Sequence, residues 1–528
     1  MTTHKKPPKA FSDHFDRQRL ITELRSNLRG EVYHSYAQRV RYSTDESIFT
    51  LLPSVIVVPC DEIDVQVCVS IAQFFNVPIT ARGGGTGVAG QSIGSGMVLD
   101  FHPHFHRTLE IFKESAVVEP GVILQDLNRE LGKQGKRFAP DPGSRASCTL
   151  GGMVATNAAG PHSYCHGSTR DHVKRMRVVL ADGAILDTSS LEKRFPNLAT
   201  AVCLQKEMIV KTQPKTRKNS SGHPLSELCQ ERPNYTKFLV GSEGTLALVT
   251  EIEVKIIPLP TFTTLAIYPF RSMKEALDFL SEISQTNPSA IELLDHFVLQ
   301  ALARANGALA SAVHLDEANA SLWVEWENHG PKEFGKKKVH VIEDPVGQSH
   351  LWTLRSKASK FLHDQASKKQ PLRCVEDGVV PLEKISIYVA GLREILKKHR
   401  CDGAIFGHAG DGHFHVNPNI DVEAPHLPRR IGELMEEVYT FILDLGGSIS
   451  GEHGDGILRR KFVERQWENV MPLFRLVKET FDPEGILNPG KKLGDDRSLM
   501  PPLRNFLELP KPHPLREIAR DPRIDFEG

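Results

Sequence analysis

The densest group of metal-binding side chain types in the sequence is Gly407-His408-Ala409-Gly410-Asp411-Gly412-His413-Phe414-His415-Val416-Asn417-Pro418. Apolar residues flank its Gly-Asp-Gly segment, a pattern that predicts strand, tight turn, strand. Side chains alternate along a strand, so His413, His415 and Asn417 share a face, and the hairpin brings His408 towards them. Downstream, Ser450-Gly451-Glu452-His453-Gly454-Asp455-Gly456 sets a carboxylate beside another histidine. Imidazole nitrogens and carboxylate oxygens suit borderline divalent metals, zinc first among them. Two histidines, a glutamate and an open position make a catalytic pattern, because a substrate can complete the shell. On spacing alone a histidine pair is more often structural than metal-binding; the nearby Glu-His adds weight to the metal reading. Taken by itself, this segment also fits a metal-dependent hydrolase.

A second chemistry is written in three small-residue loops. The first, Arg82-Gly83-Gly84-Gly85-Thr86-Gly87-Val88-Ala89-Gly90-Gln91-Ser92, contains a literal G-x-G-x-x-G after a strand. A dinucleotide fold of that type needs a helix after the loop, within a unit of about 30 residues. Here only Gln91 to Gly96 separate the loop from the next strand-like run, Met97–Asp100, and a crossover helix does not fit. What remains is a backbone cradle for phosphate, since consecutive glycines let N–H groups converge on an anion unobstructed. The second loop joins Pro142-Gly143-Ser144 to Thr149-Leu150-Gly151-Gly152-Met153-Val154-Ala155-Thr156-Asn157-Ala158-Ala159-Gly160, and the third is Gly241-Ser242-Glu243-Gly244-Thr245-Leu246-Ala247. Each alone reads as packing. Together, in one β-rich region, they point to a long ligand lying close to the backbone.

In this order, RGGGTG, TLGGMVATNAAG and GSEGTLA resemble the FAD-binding domain of the vanillyl-alcohol oxidase and p-cresol methylhydroxylase superfamily. Phe481-Asp482-Pro483 to Leu487-Asn488-Pro489-Gly490-Lys491 is similar to the segment with which those proteins return to the flavin, and the likeness covers roughly residues 45–492. The resemblance implies that Gly83, Gly84, Gly85, Thr86 and Gly87 cradle the pyrophosphate and that Arg82, Gln91 and Ser92 also bind the cofactor. It implies that Pro142, Gly143, Ser144, Thr149, Gly151, Gly152, Ala155, Thr156, Asn157 and Gly160 lie along the cofactor. Gly241, Glu243, Gly244, Thr245 and Val249 would help to hold it, with Asn488 near the isoalloxazine. Some members attach FAD through a histidine of the first loop; none stands here, so non-covalent FAD is expected.

The motifs G-H-x-G-D-G-x-x-H and G-E-H-G resemble the branch of D-2-hydroxyglutarate dehydrogenases, D-lactate dehydrogenases and the FAD subunit of glycolate oxidase. That resemblance implies a divalent metal, with zinc as the expectation, on His408, His415 and Glu452. His413 is an alternative ligand or a supporting group. It implies His453 as catalytic base, Arg355 as the cation for the substrate carboxylate, and Asn417 as a substrate contact. The implied substrate is a small D-2-hydroxy acid: D-lactate, D-2-hydroxyglutarate or glycolate. One departure concerns a lysine that D-2-hydroxyglutarate dehydrogenases carry just before the segment Glu376-Asp377-Gly378-Val379-Val380-Pro381; here Cys374 or Val375 takes that place, with Arg373 upstream. A flavin-binding subunit of a larger redox complex is the alternative reading. Electrons would pass to an external acceptor: an iron–sulfur protein, a quinone system or an electron-transfer flavoprotein.

Positioning these groups requires an α+β chain. The 528 residues carry equal numbers of basic and acidic side chains, 65 each, without the basic excess a nucleic-acid binder uses against phosphates. No apolar run approaches the roughly 18 residues of a membrane span, and Met1 to Ala10 are polar and basic, so a cytoplasmic protein, at most peripheral at a membrane, is expected. The eight cysteines form no C-x-x-C pair, which argues against an iron–sulfur cluster in this chain. Residues 1–48 read as a helical extension and 49–260 as a two-subdomain FAD-binding domain of the p-cresol methylhydroxylase type. Residues 261–480 read as an α+β, ferredoxin-like cap with the metal site, and 481–528 as the helical return segment and a Pro-rich tail. Within this frame Ser54–Val58, Val77–Ala81, Met97–Asp100 and Ser321–Glu327 are predicted strands. Val178–Leu180 and Ile185–Asp187 form a hairpin around Asp182-Gly183, and Ile431 to Leu445 a helix stopped by Gly446-Gly447.

Overall fold

The computed structural model describes residues 16–307, 313–315, 317–330, 339–364, 368–494 and 501–506. In the first sheet Val55–Val58, Met97–Asp100 and Ile79–Arg82 run parallel, and Glu31–Tyr33 pairs antiparallel with the outer edge of Val55–Val58. Val55 to Val58 are buried at every position, the continuous apolar run of a strand covered on both faces. The helix Glu62–Phe75 makes the first crossover; Asp61 caps it by accepting from the N–H groups of Ile63 and Asp64, and Asn76 ends it in the left-handed region. The second crossover, between Ile79–Arg82 and Met97–Asp100, contains no helix and consists of the first glycine-rich loop, as the short Gln91–Gly96 spacer required.

The N-terminal segment is more than a helical extension. Between the helices Arg17–Asn27 and Tyr36–Arg41, Glu31–Tyr33 joins the first sheet, and Leu20, Ile21 and Leu24 pack into its core with Val55 and Val69. Three residues are too few for strand periodicity to register. Residues 1–15 and the Pro-rich tail beyond Phe506 lie outside the described residues.

A second, antiparallel sheet runs Thr108–Ile111, Ser115–Val118, Leu248–Lys255, Val173–Val179, Ile185–Asp187. Its last pair is the predicted hairpin, turned at Gly183 with φ +80°. The cap is built on an antiparallel sheet in the order Ala290–Asp295, Ala320–Glu327, Thr263–Phe270, His340–Ile342. Counted along the chain that order is second, third, first, fourth, the ferredoxin-like arrangement. A smaller sheet gathers Lys369–Pro371, Gly378–Val379 and Gly403–Phe406 around His413–Asp421. The helix Leu427–Asp444 buries Ile431, Leu434, Met435, Val438, Tyr439 and Ile442, and Gly446 follows it with φ +76°. After the helix Met471–Phe481 the chain returns to the first sheet: Ile79 N–H donates to the Ile486 carbonyl at 2.8 Å and Asn488 N–H to the Ile79 carbonyl at 2.7 Å.

Candidate active site

A cavity of about 960 Å³ opens between the three loops and the cap. The loops need glycine because they pack on one another. A Cβ on Gly83 would lie 2.1 Å from Thr149 Oγ1, one on Gly84 2.1 Å from the Ser147 carbonyl oxygen, and one on Gly151 2.6 Å from Pro120 Cβ. Of the residues expected along the cofactor, Arg82, Gly83, Gly84, Gly85, Thr86, Gly87, Gln91, Ser92, Pro142, Gly143, Ser144, Thr149, Gly151, Gly152, Ala155, Thr156, Glu243, Gly244 and Val249 line this cavity.

Asn157, Gly160, Gly241, Thr245 and Asn488 instead stand behind the wall and shape it. Asn488 clamps two loops: its Nδ2 donates to the carbonyls of Gln91 at 3.0 Å and Glu243 at 2.7 Å, and its Oδ1 accepts from Thr80 Oγ1 at 3.0 Å. Asn157 ends the helix Leu150–Thr156 in the left-handed region, and its Oδ1 accepts from Arg170 N–H at 2.9 Å. Gly241 takes φ +91°, Gly160 packs so closely on Asp141 that a Cβ would lie 2.4 Å from its carbonyl oxygen, and Thr245 Oγ1 donates to the Ser242 carbonyl at 2.6 Å. Glu243 does both jobs. It lines the cavity while its carboxylate accepts from Asp455 N–H at 2.7 Å, Gly456 N–H at 2.8 Å and Lys492 Nζ at 3.1 Å, tying the third loop to the chain just after His453.

On the cap side the strands Gly403–Phe406 and His413–Asp421 pair with Phe406 opposite His415, and the Ala409–Asp411 turn folds His408 back over them. Ring nitrogens of His408 and His415 and a carboxylate oxygen of Glu452 all lie within 4.8 Å of one another, and all three residues are buried. His408 Nε2 is 3.3 Å and His415 Nε2 3.5 Å from Glu452 Oε1. Two imidazoles and one carboxylate converging from separate segments fit a borderline divalent cation in both donor chemistry and spacing. Burial disfavours the Glu452 charge, but His408 and Lys218 outweigh it and hold the carboxyl well below its usual range. Lys218 Nζ sits 3.4 Å from Glu452 Oε2 and 3.3 Å from Asp411 Oδ2. His413 stands outside the triad: its Nε2 pairs with Asp377 Oδ1 at 2.9 Å, and burial pushes it down to about 4. Asn417 is buried, donates to Ser359 Oγ at 3.4 Å, and is not among the residues lining the cavity.

His453 and Arg355 both line it. His453 Nδ1 is 2.8 Å from Glu376 Oε1, and Glu376 also lies 3.3 Å from Arg459 Nη2. Burial opposes a charge on His453, yet Glu376 and Asp377 outweigh it and raise the imidazole well above its ordinary range. Gln91 of the first loop donates through Nε2 to the His453 carbonyl. Arg355, on the helix Pro345–Ser356, stacks over Phe406 at 5.1 Å and donates through Nε to Glu292 Oε2 at 2.7 Å. Glu292 Oε1 faces His408 Nδ1 at 2.5 Å.

Glu292 and Lys218 escaped the sequence reading, and Glu376 entered it only as part of a pattern. Glu292 did leave a signal, an acid in the middle of Ala290–Asp295, whose positions are all buried. A further buried cluster crosses from the loops to the cap. His162 Nδ1 meets Asp141 Oδ2 at 2.6 Å and its Nε2 meets Glu325 Oε1 at 2.7 Å; despite burial, the two carboxylates raise it well above its ordinary range.

Comparison with known families matches residues 53–189 to the FAD binding domain and residues 259–492 to the C-terminal domain of FAD linked oxidases. Among curated proteins, the D-2-hydroxyglutarate dehydrogenase of Escherichia coli (strain K12) is 31% identical over 511 residues, covering 88% of this chain and 50% of that protein. The glycolate oxidase subunit GlcD of Bacillus subtilis (strain 168) is 29% identical, covering 88% of this chain and 94% of its own. The D-lactate dehydrogenase of Archaeoglobus fulgidus is 28% identical, with 83% and 90% covered. The chain thus spans about half the length of the D-2-hydroxyglutarate dehydrogenases it matches. Among solved structures, p-cresol methylhydroxylase with substrate bound superposes with a TM-score of 0.68 at 14% identity, covering 92% of this chain and 98% of its own, a likeness of fold. Among the described residues, no helix is long and apolar enough to cross a membrane.

Proposed function

The chain belongs to the FAD-linked oxidases, and on that premise we propose that it is a dehydrogenase taking a small D-2-hydroxy acid to its 2-oxo acid. One observation carries the reading: His408, His415, Glu452, His453 and Arg355 line the same cavity as the three glycine-rich loops. A loop cradle alone would fit any flavoprotein; a His/His/Glu triad, a carboxylate-backed histidine and a buried arginine facing that cradle fit proton abstraction from an anionic hydroxy acid.

When bound, non-covalent FAD supplies the hydride acceptor, and a divalent metal, zinc in our reading, supplies a Lewis acid for the substrate hydroxyl. Arg355 holds the substrate carboxylate through a charge-assisted contact. His453 takes the hydroxyl proton on Nε2, because its Nδ1–H is committed to Glu376, which fixes the tautomer and stabilises the imidazolium that forms. Asn417, set behind the wall, serves through Ser359, which lines the cavity. Cys374 and Val375 are fully buried while Arg373 lines the cavity, so Arg373 is the cation that this segment offers a second carboxylate. Electrons leave to an external acceptor, for which we propose an iron–sulfur protein, a quinone system or an electron-transfer flavoprotein, in a cytoplasmic setting or peripherally at the membrane.

The test is anaerobic bleaching of the flavin by D- and L-lactate, D- and L-2-hydroxyglutarate and glycolate in turn. Fast bleaching by one of the D-acids or glycolate, with the L-acids slow, supports the reading and names the substrate. A yellow protein that stays oxidised with all of them gives way to a flavin-binding subunit of a larger redox complex. Acid precipitation adds a check on attachment: the yellow chromophore is expected in the supernatant, and colour left in the pellet contradicts non-covalent binding.

A further inference from the structure

Glu292 sits in the middle of Ala290–Asp295 with no exposure, on the strand face it shares with Ala290 and Leu294. A carboxylate in such a place is costly unless both oxygens are engaged. Each serves one residue. Oε1 accepts from His408 Nδ1 at 2.5 Å, and Oε2 accepts from Arg355 Nε at 2.7 Å and is in close contact with Nη2 of the same guanidinium. His408 comes from the turn after Gly403–Phe406 and Arg355 from the helix Pro345–Ser356, so one side chain holds a polar group from each of two elements that also pack through Phe406. The strand is held in place for this: Leu293 and Gly407 exchange backbone hydrogen bonds of 2.8 and 2.9 Å, which sets Glu292 beside His408.

The chemistry of the two bonds differs. With Nδ1–H donating to Glu292, His408 carries its lone pair on Nε2, the nitrogen that faces Glu452 Oε1 at 3.3 Å. Arg355, with Nε held by the same carboxylate, is fixed in the plane where it stacks on Phe406 and lines the cavity.

We propose that Glu292 is a positioning residue that orients the metal ligand His408 and the substrate-binding Arg355 at once, so that metal affinity and recognition of the substrate carboxylate are set by one buried side chain. The inference rests on the proposed function for the roles of His408 and Arg355. It assigns Glu292 no contact with substrate or cofactor. Its signature is a paired defect, weaker metal binding together with weaker carboxylate binding, in a protein that still holds FAD.

Glu292→Gln keeps the shape, removes the charge and leaves one good acceptor where two are needed. In FAD-loaded protein, zinc affinity measured by competition with a chromophoric chelator should fall about 10- to 100-fold. At saturating zinc, oxalate is the non-reacting probe of the carboxylate site, read by perturbation of the flavin spectrum, and it should bind about tenfold more weakly, as expected for a disturbed charge-assisted contact. Zinc and oxalate binding both within twofold of wild type overturn the proposal, and so does a zinc defect with oxalate binding unchanged. The single variant leaves Arg355 buried beside a neutral partner, and the double variant Glu292→Gln/Arg355→Met removes both charges to control for that. Zinc binding should stay weak in the double variant, because His408 still lacks its carboxylate; recovery of wild-type zinc affinity overturns the proposal. A wild type that binds no zinc counts against the proposed function itself, whereas tight zinc binding by wild type and Glu292→Gln alike counts against this inference alone.

Discussion

Glu376→Gln acts on the proton-transfer step; because Glu376 Oε2 also lies 3.6 Å from Nδ1 of the metal ligand His415, zinc content is measured beside the rate. Glu376 is buried, and its Oε1 lies 2.8 Å from His453 Nδ1 and 3.3 Å from Arg459 Nη2. The substitution keeps the volume but replaces a charge-assisted hydrogen bond with one that no longer dictates which ring nitrogen carries the proton. Such a bond contributes about 1.5–3 kcal/mol. If the full value appears in the transition state, where His453 becomes an imidazolium, flavin reduction slows about 10- to 150-fold. Arg459 keeps Tyr439 Oη at 3.1 Å and Asp377 at 3.9 Å, so the surrounding fold should hold. The pH dependence has a defined sign. Glu376 is among the causes that raise His453 against the opposing effect of burial, so its removal lowers the histidine. The acidic limb of the reduction rate, where His453 must lose its proton to act as a base, therefore moves to lower pH. Anaerobic stopped-flow bleaching across pH reads both quantities. Reduction within twofold of wild type, with an unmoved acidic limb, would refute the assignment of His453 as a base oriented by Glu376.

Further substitutions address the other parts of the site. Glu452→Ala removes one of three converging ligand atoms and should strip most bound zinc, measured by elemental analysis, while the flavin spectrum persists; zinc retained at wild-type stoichiometry counts against the triad. Gly84→Ala forces a Cβ to 2.1 Å from the Ser147 carbonyl oxygen, so the first two loops must part, and purified protein should carry little FAD; wild-type flavin content would show that the loops yield cheaply. His162 is raised in the folded state above its unfolded value, so the stability it contributes is fully present below the unfolded pKa and is lost as pH rises through the folded one. The melting temperature of wild type should therefore exceed that of His162→Gln by the largest margin at acidic pH, and a margin independent of pH would remove the charged bridge between Asp141 and Glu325.

The sequence by itself determined the local grammar of this protein. Val55 to Val58 and Met97 to Asp100 read as buried strands because their apolar runs are continuous; the helix ending before Gly446 read correctly because its apolar stripe follows the helical period. The absence of a dinucleotide-type crossover was legible from six residues, Gln91 to Gly96, because chain length cannot be negotiated. Residues of chemically uncommon type in tight motifs, His408, His415, Glu452 and His453, were likewise visible, since nothing in core packing requires them together. Tertiary structure alone decided the partners that come from far along the chain. Glu292 lies 116 positions from His408, and Glu376 lies 77 from His453; an acid in a buried strand or a loop carries no period or spacing that names its mate. The same separation explains why Asn488 and Asn157 read as cofactor contacts when they buttress the loops from behind: a motif records that a residue is needed near a ligand, but only the packed chain settles whether it faces the cavity or holds the wall.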